Sequence, residues 1–135
     1  MERLSENLEK IVKEFIEKNV PEETKHDFVI AAIHFNINLN VCTKYDLMRI
    51  DHKAKELADV EKNEILTNAA IFSYALFRAI NRNEIPEKDI VEVKSALMNI
   101  STCITEYMTY RIDENILNKH LYDELVRLGI WKSAN

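Results

Sequence analysis

The chain has 135 residues, 47% of them hydrophobic and 30% charged, with a formal net charge of −5 and both signs interspersed. A single glycine, Gly129, and two prolines, Pro21 and Pro86, exclude phosphate-cradling loops of the Walker or dinucleotide type, which need glycine wherever backbone approaches a ligand or turns through positive φ. Mixed, mildly acidic charge excludes strong non-specific binding to nucleic-acid backbones, no stretch approaches the ~20 apolar residues of a membrane span, and two lone cysteines, Cys42 and Cys103, make no disulfide framework.

Scarce chain-breakers predict long helices, and the length suits one domain with its own core. Leu4, Leu8, Ile11, Val12, Phe15 and Ile16 recur at steps of three and four, which predicts an amphipathic helix over 5–19 with Ser5 as N-cap. Pro21, followed by Glu22 and Glu23, restarts a helix, because proline suits the first helical position and carboxylates complement the positive end of the helix dipole.

That helix runs into HFNINLNV, residues 34–41, which alternates apolar and polar side chains as a strand does. No second alternating run exists to pair with it, and a lone strand leaves its backbone groups without partners. A helix is therefore expected, with Phe28, Ala31, Ala32, Phe35, Leu39 and Cys42 along one stripe and Ile30, Ile33, Ile37 and Val41 along another. Apolar nearly all round, it should be central, with Phe35 and Leu39 in the core.

Thr43-x-x-Asp46 has the form of a cap, and Leu47, Ile50, Ala54, Leu57, Ala58, Ile65, Ala69, Phe72, Leu76 and Ile80 then hold one face. This predicts either one helix from about 44 to 82 or two with a shallow break around 59–63; ordinary helix lengths favour the break. Residues 81–85 read as a loop. Pro86 opens a helix whose Ile90, Val93, Leu97, Ile100, Ile104 and Tyr107 form a coiled-coil-like seam widened by Met108 and Ile112. Asp113 caps a last helix bearing Ile116, Leu117, Leu121, Leu125 and Leu128, and Gly129 stands where a left-handed C-cap belongs. The fold class is all-α: residues 1–135 as a single-domain bundle of five or six helices, with the tail 132–135 frayed.

Chemistry-bearing residues are sparse. The histidines His26, His34, His52 and His120 lack the i, i+3/i+4 pairing of a helical metal site, and Glu23-x-x-His26 has no second such pair to build a di-iron centre. Glu56, Asp59, Glu61 and Glu64 resemble the paired carboxylates of all-α nucleotide pyrophosphohydrolases, but those pairs sit on different helices and these adjoin. His52-x-x-Lys55 resembles the histidine phosphotransfer motif of small acidic bundles, where the imidazole takes the phosphoryl group and the lysine steadies its charge. That motif continues with glycine, whereas this chain has Glu56. Arg49 to His52 and Arg111 to His120 both miss the Arg–His spacing of all-α ribonuclease domains of the nucleotidyltransferase-associated type. No serine or cysteine stands in a nucleophile setting.

His34, Asn36, Asn38 and Asn40 remain, as a possible polar patch that lines a small pocket or fixes register, or as asparagine spread by composition. The sequence thus predicts a non-enzymatic, cytoplasmic helical protein-interaction module, a small subunit or regulator, self-associating through the seam Ile90, Val93, Leu97, Ile100 and Ile104. It predicts no cofactor, metal, direct nucleic-acid binding or membrane attachment. The alternatives are phosphotransfer through His52 with Lys55, or an acidic decoy of a nucleic-acid-binding protein.

Overall fold

The computed structural model describes residues 7–39 and 63–130. Among them are five α-helices and no strand: α1 (Asn7–Asn19), α2 (Lys25–Asn38), α3 (Glu64–Asn81), α4 (Glu87–Met108) and α5 (Glu114–Arg127). The fold is an all-helical bundle. Residues 34–38 are helical, so period two there was a coincidence of composition; Asn40, Val41 and the cap at Thr43 lie outside the described residues.

Several boundaries differ from the sequence reading, each for a local reason. After Pro21 the chain makes a 3₁₀ turn, Glu22–Thr24, in which Thr24 N–H donates to the Pro21 carbonyl at 3.1 Å, and the α-helix begins only at Lys25. Pro86 is likewise an extended N-cap (ψ 136°) and not the first helical residue. A continuous helix from 44 to 82 is excluded, because Asn63 is non-helical (φ −101°, ψ 88°) and its side-chain oxygen accepts from Leu66 N–H at 3.0 Å as the N-cap of α3. Helix α4 stops at Met108, short of Ile112: Tyr110 adopts φ 63°, and Arg111 N–H turns back to the Glu106 carbonyl at 2.8 Å.

Helix α3 is the hub, packing on α1, α2, α4 and α5, while α2 also meets α4 and α4 meets α5. Its buried Ala69, Ala70, Ala75 and Ala79 let neighbours approach closely, with Leu66, Ile71 and Leu76 filling between them. Short turns join α3 to α4 and α4 to α5, which sets these neighbours antiparallel. The core is completed by Leu8 and Val12 from α1, Val29, Ile33 and Ile37 from α2, Val93, Leu97, Ile100 and Ile104 from α4, and Leu117, Leu121 and Leu125 from α5.

Helix α2 is central, but the buried side chains are not the expected ones. Phe35 and Leu39 are half-buried and Ala31 is exposed, whereas Val29, Ile33, Ile37 and Asn36 are buried. Phe35 instead joins a tilted cluster with Tyr74 and Phe77 of α3, centroids 4.8 and 5.1 Å away, and Phe15 and Phe28 extend it to α1 through Tyr74. On α5, Ile116 is exposed and not in the core, since it lies one position off the Leu117, Leu121, Leu125 stripe.

Candidate interaction surface

The residues singled out by the sequence fall into three environments. Val93, Leu97, Ile100 and Ile104 are buried in this chain's own core and Ile90 packs half-buried against it, so the seam of α4 faces inward onto α2 and α3. The polar patch does not assemble: Asn36 is fully buried, Asn38 is exposed, His34 is half-buried and Asn40 lies outside the described residues. His52, Lys55 and the acidic cluster from Glu56 to Glu61 also lie outside them. Among the described residues no group of three His, Cys, Asp or Glu side chains could hold a metal ion.

Asn36 sits where three helices meet. Its Nδ2 donates to the Ala32 carbonyl at 2.8 Å and, across to α3, to the Ala70 carbonyl at 3.4 Å. Ser101 Oγ of α4 donates to the Asn36 backbone carbonyl at 2.7 Å. Asn36 Oδ1 and the neighbouring helix's Ser73 Oγ are buried without a protein partner.

Cys103 is a buried thiol with no disulfide partner. Burial first, then the nearby Glu106 and Glu124 carboxylates, push its pKa up to about 11. It stays protonated at neutral pH and is no nucleophile.

The outward faces of α4 and α5 are built differently. Val91, Ser95, Met98 and Thr102 follow one line of α4, and Ile116, His120, Asp123 and Arg127 one line of α5. Arg127 locks the two lines together: it pairs with Glu92 of α4, donates to Ser95 Oγ at 3.2 Å and holds Glu124 at 2.8 Å. Asn99 adds a bond to Glu124 at 3.2 Å. Beside this polar clasp Val91 is 79% exposed, Met98 49% and Ile116 43%. The signal for this face is present in the sequence, because Val91 and Met98 each stand one residue off the inward seam.

Hollows lined by the described residues flank the bundle. A groove of about 260 Å³ runs between Val12 and Ile16 of α1, Phe72 of α3 and Ile130, with the Glu9–Lys13 ion pair among its polar neighbours. A wider hollow of about 560 Å³ lies over the α4–α5 turn, among Tyr107, Tyr110, Arg111, Ile112 and Glu114.

Fold and surface together define an all-α bundle whose α4 and α5 are joined on their outer side by the Arg127 contacts. No family model, curated protein or solved structure matches the chain.

Proposed function

We propose that this chain is a non-enzymatic helical interaction module, acting in the cytoplasm as a small subunit or regulator, which docks protein on the outward face of α4 and α5 and self-associates through it. One observation carries the reading. Every large apolar side chain that is exposed among the described residues, Val91, Met98, Tyr110, Ile116 and Val126, belongs to α4, α5 or the turn between them, and none to α1, α2 or α3. Exposed apolar groups confined to two neighbouring helices favour association there, and the Arg127 contacts tie these two helices to each other, which lowers the ordering cost of docking. The reading invokes no cofactor, nucleic acid or membrane.

Sedimentation and affinity capture test it. The wild-type protein at tens of micromolar is expected to sediment as more than the 15.8 kDa monomer, and a variant carrying Val91→Glu with Met98→Glu as the monomer with unchanged helical circular dichroism. Proteins captured from the native source on wild-type bait should be lost from the variant. A wild-type species of 15.8 kDa alone removes self-association, and capture unaffected by the two charges removes this face.

A further inference from the structure

Helix α2 poses a packing problem that hydrophobic burial alone does not solve. Val29, Ala32, Ile33 and Ile37 are buried, Phe28 and Ile30, on other sides of the helix, are half-buried against the same core, and Phe35 is half-buried against the rings of Tyr74 and Phe77. An apolar ring of this kind presents similar faces to α3 and α4 when the helix turns about its axis or slides by a turn, so several settings bury comparable apolar area. The fully buried amide of Asn36 does not share this tolerance. Asn36 meets its partners only where position 36 faces the Ala70 carbonyl of α3 and its own carbonyl reaches Ser101 of α4.

We propose that Asn36 is a specificity residue that fixes the rotation and register of α2 against α3 and α4, and that it does so without adding net stability. Its bonding supports the second half of that statement. One of its two side-chain bonds stays within α2, the other is long at 3.4 Å, and Oδ1 is buried with no protein partner, as is Ser73 Oγ on α3. A buried amide satisfied on one side only contributes little or nothing against an apolar residue of similar size. Any other setting of α2 breaks the bond to Ala70 and the bond from Ser101 and leaves the amide with its intrahelical bond alone, and that penalty separates the native packing from its competitors.

The test compares the full-length wild type with Asn36→Leu and Ser101→Ala by urea denaturation, two-dimensional amide NMR and binding of a hydrophobic dye. Asn36→Leu is expected to keep or raise the urea midpoint while α2 amides split or broaden and dye fluorescence rises several-fold. Ser101→Ala, which removes one bond but leaves the amide in place, is expected to lower the midpoint and keep a single sharp spectrum. Two results overturn the proposal: an Asn36→Leu protein with one sharp set of α2 amides and no dye binding, or one whose folding constant falls tenfold or more, including outright failure to fold, since either makes Asn36 an ordinary packing or stability residue.

Discussion

Tyr110 holds a φ of 63°, in the left-handed region that costs an ordinary L-residue roughly 1–2 kcal/mol, because it closes α4 with the same pair of bonds that closes α3 and α5. In each case the residue at positive φ donates to a carbonyl three back and its successor to one five back: Asn83 to Ile80 and Glu84 to Ala79, Tyr110 to Tyr107 and Arg111 to Glu106, Gly129 to Val126 and Ile130 to Leu125. Only Gly129 meets this geometry free of strain, at φ 74°, and a methyl group added there would touch nothing within 4 Å. The expected effect of a substitution at Gly129 is therefore backbone strain alone. Gly129→Ala should lower stability by about 1 kcal/mol and Gly129→Asn by less, since asparagine tolerates the left-handed region. Equal losses in urea titrations of the two variants would show that something other than φ governs this end of α5.

The element termini show which local signals carry through to structure. Asp113 and Gly129 were legible as the bounds of α5 because each residue type does one thing there: the aspartate oxygen accepts from Ile116 N–H at 2.9 Å, and glycine takes positive φ. Nothing marks a tyrosine for positive φ, so the end of α4 at Met108 is not legible in a stripe that continues to Ile112. Asn63 stands at the edge of the break that helix length suggested, but its second role was out of reach of sequence, since it depends on a helix some fifty residues away. Its Nδ2 donates to Glu114 at 2.8 Å and to Asn118 at 2.9 Å, tying the start of α3 to the start of α5. Asn63→Ala removes a cap and that tie together, whereas Asp113→Ala removes a cap alone. The expected losses are about 2 kcal/mol for Asn63→Ala and about 1 kcal/mol for Asp113→Ala. Chemical denaturation of both variants measures the difference, and equal losses would mean that the tie to α5 contributes nothing.

For the molecule as a whole, the amphipathic period made the class of fold readable, but period alone says which residues share a face and not which way that face points. Hence the α4 stripe is legible as one face that suits the core and a partner helix alike, and only the packing shows it buried in this chain's own core, while α2, apolar on most sides, buries Val29, Ile33 and Ile37 and not the expected Phe35 and Leu39. The assembled contacts also rank the helices by how firmly each is held. Among the described residues, helices α2, α4 and α5 each pack on α3 and on a further helix, while α1 packs chiefly on α3, with Leu8 and Val12 buried and Phe15 reaching the rings of Phe28 and Tyr74 at 5.9 and 5.7 Å. A helix held on one side opens at lower free energy than one held on several. Native-state hydrogen exchange should therefore show α1 amides exchanging through a local opening, at a free energy below that of α3, whose amides exchange only on global unfolding. Phe15→Ala should widen this gap, because it removes the ring that joins α1 to α2 and α3 and leaves the contacts of α4 with α5 unchanged. If α1 and α3 exchange at the same free energy in the wild type, and Phe15→Ala lowers both together, the bundle is one cooperative unit and the single-sided packing of α1 does not make it separable.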